Sequence, residues 1–548
     1  MAAEKKKDSF IFQAAILAAA GLLSRVIGLL YAVPLYRIIG EEGNGYYGTA
    51  YDIYFMILLI STYSIPTAVS KVISQRLALE EYKNARKLFI CSLIYVVVVG
   101  GFTAVLTFVF APVLVIEQSV LSLRVMAPTI FFSGLLSVFR GYMQAHNTMV
   151  PTAISQIIEQ IMNAVVSVAA AYIFTIPYRE AMHEYLPEAT IGASKGAAGS
   201  ALGTGAGVLA GLIFILINYF GKSKDFKAKV IADKSTNEES YRDLFKVIFM
   251  MVTPVIMATF IYNVSTTIDM KIFWWMVDIK GMDTSIASRT YGIYSRQFLV
   301  LINLPIAISS AVSSALIPGI SGAYSRNDIE GVKGRLNQAI RTTMFVVIPA
   351  AIGMAFLSNP IMQLLFSGTD RRAGIALAGG CISVVLYALS TITNGVLQGM
   401  GRVEAPVKNA AITLVIHILF VLGMMYFTDG TLAVLVAGSV VYSFFMCVLN
   451  GISIRRFLGY RMEYKHCFIL PAIAAFVMGI VAYAVYVCCF RLISSNIISL
   501  VVAIVIAIMI YAIIMLKTGA CSEEDLVSLP MGARLARVAK AIHLISKK

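Results

Sequence analysis

Charge is scarce in this chain. Asp, Glu, Lys and Arg make up 13% of its 548 residues, about half the share usual in soluble proteins. There are only five histidines and two tryptophans. Long polar segments are nearly missing, which leaves little room for a soluble domain. The chain has no Walker loop and no HExxH, so the signatures of P-loop ATPases and zinc proteases are excluded. No enzyme is expected. An active process in this chain must then draw on an H+ or Na+ gradient, the membrane potential or the gradient of its own substrate. The seven cysteines, at 91, 381, 447, 467, 488, 489 and 521, mostly sit in apolar runs without metal-ligand spacing. We read them as small apolar residues, and expect neither a metal nor a cofactor. The acidic stretch at 177–195, with His183, reads as a solvated loop.

Apolar sequence fills the space that charge leaves. Hydrophobic residues are 59% of the chain and the mean hydropathy is +0.82. Runs long enough to cross a bilayer recur from end to end. The fold class is therefore all-α, a polytopic membrane protein of about fourteen transmembrane helices. Lys5, Lys6 and Lys7 precede the first run, at 10–39, which reads as an uncleaved first helix. Counted from a cytoplasmic N-terminus, 31 Lys and Arg fall in inside segments and seven in outside ones. That bias places both termini in the cytoplasm. It also accounts for the net charge of +15 without nucleic acid as a partner.

Two motifs recur. Pro66-Thr-Ala-Val-Ser70 in the second span resembles Pro305-Ile-Ala-Ile-Ser309 in the eighth. Gly141-Tyr-Met-Gln144 in the fourth resembles Gly395-Val-Leu-Gln398 in the tenth. Each pair is six helices apart, and an even offset keeps the orientation. We expect a parallel pseudo-repeat of two six-helix lobes, 1–220 and 244–454, joined by a flexible cytoplasmic linker, 221–243. Spans 13 and 14 follow at 455–517. The end, 518–548, reads as a basic amphipathic cytoplasmic tail on the anionic leaflet.

Charges within spans cluster in the first eight helices. Arg25 lies about 22 Å along the first helix, too deep to reach either surface. An arginine at the bilayer centre costs roughly 2.5–3.5 kcal/mol on insertion scales, so it is expected to face a polar cavity or an ion pair. Lys71 and Arg296 are the other candidate cavity cations, although a position near a helix end would also let each reach the interface. Asp52, Glu159 and Asp269 either neutralise neighbouring cations or couple an ion. His417 reads as a satisfied polar residue in a helix contact. Pro66 and Pro305 are candidate hinges, because proline frees a backbone carbonyl inside a helix.

Ser24-Arg25-Val26-Ile27-Gly28, Gly40-Glu-Glu-Gly-Asn-Gly-Tyr46, Pro66-Thr-Ala-Val-Ser-Lys71 and Arg140-Gly-Tyr-Met-Gln144 resemble the polysaccharide-transport branch of the MOP flippase superfamily. Within it the chain is most similar to the SpoVB/YtgP group, related to MurJ-type lipid II flippases. The resemblance implies a bacterial plasma-membrane flippase with a central cationic cavity and two C-terminal helices that flank a lipid-tail groove. It implies alternating access that moves a lipid-linked cell-wall precursor, lipid II, to the outer leaflet, with Arg25 at the pyrophosphate or sugar. The partners it implies are this lipid-linked glycan, membrane lipids and cell-wall synthesis proteins, with the chain itself a monomer. An ion-coupled multidrug exporter of the related MATE type, or a membrane scaffold in wall or spore assembly, is the alternative. The chain departs from the pattern in two places. Tyr31 stands where a second arginine is usual, and Lys71 is the nearest cation where the second span usually carries paired arginines.

Overall fold

One glycine divides the first long helix. α1 (Ala2–Leu58) leaves helical geometry at Gly40, where φ is 67° and ψ is −174°, a combination essentially confined to glycine. The computed structural model describes residues 2–518, apart from 64, 147, 185, 234–237 and 430. All regular elements among the described residues are helical. The expected tail, 518–548, lies outside the described residues except for its first position.

The described chain packs as two compact units, divided between Arg296 and Gln297. After α1, the first unit holds α2 (Ile65–Ala78), α3 (Tyr82–Tyr95), α4 (Gly101–Leu114), α5 (Glu117–Ala145) and α6 (Val150–Thr175). It continues with α7 (Arg179–Glu184), α8 (Ala189–Ala232), α9 (Tyr241–Lys280) and α10 (Thr284–Gly292). The second unit begins with α11 (Leu299–Ser325), α12 (Ile329–Phe356), α13 (Ser358–Leu365), α14 (Arg371–Gly380) and α15 (Ile382–Gly399). It ends with α16 (Glu404–Phe427), α17 (Thr431–Leu458), α18 (Leu470–Ile493) and α19 (Asn496–Lys517).

Twelve helical stretches among the described residues are long and apolar enough to cross a bilayer. One of them, Ala19–Ser61, has 43 residues and would be about 65 Å long, twice a hydrocarbon core. It contains the Gly40 break and so holds parts of two spans. α9, with 40 residues, is also long enough to span. With these two, the fourteen expected spans are accounted for.

The repeated motifs meet inside each unit. A Cβ on Gly141 of α5 would lie 2.8 Å from the Pro66 carbonyl of α2. A Cβ on Gly395 of α15 would lie 2.0 Å from the Ser313 hydroxyl of α11, two turns beyond Pro305. In both halves the motif glycine is thus a point of close approach to the motif proline's helix. A wide π-type turn precedes each proline, at Leu59–Tyr63 and at Ile293–Phe298. Such turns cluster at functional sites and break the regular i→i−4 ladder.

The stretch 221–243, expected as a flexible linker, is helical as far as Ala232. Its lysines and serines mask two apolar residues one turn apart. Phe226 packs edge-on against Tyr142 at 5.6 Å, and Val230 is buried. Beyond the helix, the chain is pinned to the end of α2 and the first turns of α3. Asp233 accepts the Lys83 backbone N–H at 2.8 Å, and the Glu239 N–H donates to Asn84 at 3.1 Å. Glu238 pairs with Lys83 and Lys87 at 3.3 and 3.1 Å, and Glu239 pairs with Arg76.

In the second unit a buried asparagine cluster joins three helices. Asn409 of α16 donates to Asn450 of α17 at 2.9 Å, and Asn450 donates to Asn394 of α15 at 2.7 Å. Such polar contacts hold helices together where lipid supplies no hydrophobic drive. His417 is buried with its Nδ1 3.1 Å from the Gly438 carbonyl, as a satisfied polar residue should be.

Replacing Glu238 and Glu239 together by glutamine should expose 233–240 to protease about two- to fivefold faster in the full-length protein, as expected for exposed ion pairs. High salt should do the same to wild type and little to the variant. Hydrogen bonds from Lys87 and Lys83 hold the Glu238 carboxyl below its usual range. Its contribution is therefore present above the ordinary glutamate pKa and lost only as the pH falls through the lowered value. Cleavage of wild type that rises at pH 6 would contradict this pairing.

Candidate functional site

Three glycines let two helices touch. A Cβ on Gly45 of α1 would lie 2.0 Å from the Ser288 carbonyl of α10, and one on Gly292 would lie 2.3 Å from the Glu41 carbonyl. A Cβ on Gly48 would lie 2.4 Å from the Ser295 hydroxyl. Any larger residue would force α1 and α10 apart, as at other small-residue helix interfaces. The contact is locked at one end by Glu42, which is 7% exposed. It accepts from Tyr46 at 2.9 Å, from Thr190 of α8 at 2.8 Å and from Ser285 of α10 at 2.6 Å. Arg289 adds an ion pair at 3.5 Å.

This seam places a polar cluster on the second arm of α1. Tyr47 and Tyr51, one turn apart, stack at 5.8 Å. The Arg296 guanidinium, from the wide turn after α10, lies 4.6 Å over Tyr47 and 5.6 Å over Tyr51. Stacking on aromatic faces leaves the in-plane N–H groups of an arginine available for an anion. Its buried Nε has no hydrogen-bond partner among the described residues. Asp52 accepts a short hydrogen bond from Tyr291 and lies within the electrostatic reach of Arg296 and Asp269. Asp269 of α9, 2% exposed, accepts from Tyr294 at 3.2 Å. Trp274 donates to Thr49 at 3.0 Å and closes the cluster.

The structure thus brings Arg296, Asp52 and Asp269 together. Glu159 is elsewhere, held by Arg140 at 2.8 Å between α5 and α6. It neutralises a cation, one of the two roles its sequence position allowed. Arg25 and Lys71 stand exposed on α1 and α2. Pro66 sits in α2 against Gly141, and Pro305 is buried in α11. Sequence reading missed Glu42 and the tyrosines. The one available signal was the Gly-Glu-Glu-Gly-Asn-Gly-Tyr-Tyr-Gly run at 40–48, whose glycine density marks close backbone contact.

The polysaccharide biosynthesis protein model matches residues 12–324, more than half of the chain. The chain belongs to this family. A MatE model matches residues 254–422. The lipid II flippase MurJ of Bacillus subtilis is 23% identical over 84% of this chain and 85% of its own length. Stage V sporulation protein B of the same organism is 24% identical over 74% of this chain and 76% of its own. Among solved structures, a lipid II flippase MurJ in an inward closed conformation aligns with a TM-score of 0.63 at 16% identity, covering 91% of this chain and 98% of that one. An inward-facing MATE multidrug transporter of the MOP superfamily aligns with a TM-score of 0.62 at 15% identity, over 81% of this chain and 98% of that one. Lipid II flippases and a multidrug transporter are among these relatives, and this family member is a multi-pass membrane protein of the same fold.

Replacing Glu42 by alanine strands the hydroxyls of Tyr46, Thr190 and Ser285. It should cost about 2–4 kcal/mol of stability, seen as a lower unfolding temperature in detergent. Glutamine, which still accepts, should recover part of the loss. Equal unfolding temperatures for alanine variant and wild type would show that Glu42 does not hold the seam.

Proposed function

We propose that the protein moves a polyprenyl pyrophosphate-linked cell-wall precursor, of the lipid II class, from the inner to the outer leaflet by alternating access. The observation that carries this reading is Arg296, stacked on Tyr47 and Tyr51 with a buried, unpartnered Nε. A cation held by aromatic faces, and not consumed by a carboxylate, suits a pyrophosphate that it binds and releases. Arg25 and Lys71, exposed on α1 and α2, extend the cationic surface for the same head group. The name of one Bacillus subtilis relative, the lipid II flippase MurJ, agrees with this class of substrate. A multidrug exporter would carry cationic compounds, which an arginine at this place repels.

Asp52 and Asp269, held by tyrosine hydroxyls, are the groups through which an H+ or Na+ gradient acts; the membrane potential is the other energy source. Pro66 and Pro305, each preceded by a wide turn, are the hinges of lobes 1–220 and 244–454. The protein works as a monomer in the bacterial plasma membrane with both termini in the cytoplasm, beside cell-wall synthesis proteins that supply and consume its cargo.

Flipping of fluorescent lipid II by the purified protein in vesicles tests the reading. Arg296→Ala should slow it about ten- to a hundredfold, the weight of one or two charge-assisted hydrogen bonds. Arg296→Lys should recover only part, because an ammonium lacks the flat fork. Wild-type protein that leaves lipid II in place, or an alanine variant that flips it at the full rate, overturns the proposal.

A further inference from the structure

The stretch 233–240 carries three carboxylates and one lysine. It lies against residues 76–87, at the end of α2 and the start of α3, which hold four cations and two carboxylates. Two adjacent glutamates meet this positive excess. Lys83 and Lys87 each take one oxygen of Glu238, at 3.3 and 3.1 Å. Arg76 pairs with Glu239 and, at 3.6 Å, with Glu81. Asp233 accepts the Lys83 backbone N–H at 2.8 Å, at an α3 N-terminus whose own N-cap, Glu81, makes no capping bond. Three anions from one segment thus fill one cationic notch.

The notch has room for more anionic oxygen than the segment brings. The buried Nε of Arg76 has no hydrogen-bond partner among the described residues, although both other nitrogens of the guanidinium are paired. Glu238 is half exposed, and its two lysines are partly open to solvent. Pairs of this kind are weak singly and easily exchanged. Two linked phosphates reproduce the arrangement of two adjacent carboxylates, with more oxygens and more charge to offer. Arg76 would meet them with a flat fork and the lysines with point charges. Lys71 is exposed on the same helix, about 7.5 Å from Arg76 along its axis, so a diphosphate leaving the notch has its next cation on α2.

We propose that residues 233–240 form an autoinhibitory clasp. Glu238 and Glu239 occupy the place of a lipid-linked diphosphate on Arg76, Lys83 and Lys87, and the arriving lipid displaces them. This rests on the flippase reading and adds its first point of contact at the inner leaflet. A phosphodiester carries one charge and is outmatched by two carboxylates, so bulk anionic phospholipid leaves the clasp closed. Opening leaves the packing beside it intact, because Leu244 and Ile248 of α9 are buried with Val72 and Leu88 of α2 and α3.

The test uses full-length protein in phosphatidylcholine nanodiscs at fixed ionic strength, with limited proteolysis within 233–240 as the readout. A polyprenyl pyrophosphate disaccharide in the nanodisc should speed cleavage of wild type about two- to fivefold, the weight of exposed ion pairs. The same amount of phosphatidylglycerol should not, nor should free pyrophosphate in solution. In vesicles with limiting fluorescent lipid II, Glu238→Gln with Glu239→Gln should flip about two- to fivefold faster than wild type, and Arg76→Gln slower by a similar factor. Both variants loosen the same contact, so a clasp with a purely structural role would slow flipping in both, and that result overturns the proposal. Cleavage of wild type that ignores the polyprenyl lipid also overturns it. Equal acceleration by phosphatidylglycerol assigns the notch to bulk lipid, and acceleration by free pyrophosphate assigns it to a soluble anion; either one sinks the clasp as described. Wild type that flips lipid II while its cleavage ignores the lipid keeps the function and loses the clasp. Cleavage reads displacement without transport, so it decides the clasp separately from the flipping assay.

Discussion

The contact on which the cluster depends is between two backbones. Gly45, Gly48 and Gly292 allow α1 and α10 to approach until a single added methyl group would overlap a carbonyl or hydroxyl. Neither helix could be swapped for a more hydrophobic one of the same length. In lipid, apolar surface gives no preference for a neighbouring helix over the bilayer, so close packing and polar contacts must supply it. Glu42 supplies the polar part, with hydroxyls from three helices around one carboxylate. The Gly40 break turns the second arm of α1 onto this seam. The position of Arg296 is a consequence, because it leaves the end of α10 only four residues after Gly292.

Charge within the cluster is divided in a particular way. The carboxylates of Asp52 and Asp269 take their hydrogen bonds from tyrosines. Arg296 is given aromatic faces. A direct bidentate pair would satisfy both partners and leave nothing for a ligand. A stacked guanidinium is held in place while its plane stays able to bind. Arg140 and Glu159 show the other solution in the same unit, a closed pair at 2.8 Å, with Ser155 satisfying the arginine Nε.

The class of the protein was legible because hydropathy and loop charge are properties of composition and need no tertiary contact. The spans follow from these alone, including the two that meet within α1. Arg296 was legible as a buried-charge candidate, though its position near a helix end fitted an interfacial residue equally well. Glu42 was not legible, since its partners Thr190 and Ser285 lie 148 and 243 residues away and Glu41-Glu42 reads locally as a loop. The stretch 221–243 misled for a related reason. Its lysines dominate the composition, while the contacts that order it, Phe226 with Tyr142 and Glu239 with Arg76, depend on partners in α5 and α2. Arg25 drew attention through its insertion cost, yet a cost says only that a residue needs company, not where the company sits.

The absence of a second arginine at position 31 then has a physical answer. On the function proposed above, the cation that is missing from α1 is supplied by Arg296. The substitution changes what moves the charge. An arginine at position 31 would travel with a regular helical segment. Arg296 instead sits inside the wide turn Ile293–Phe298, seven residues from the last of that turn to Pro305. A π-type turn holds one residue more than the ladder needs, and losing it would rotate Arg296 by about 100°, the angle of one helical residue. That rotation would carry the guanidinium off Tyr47 and Tyr51. On the function proposed above, the same local rearrangement that bends the helix would release an anion from Arg296, which would tie binding to hinge motion through one turn of backbone.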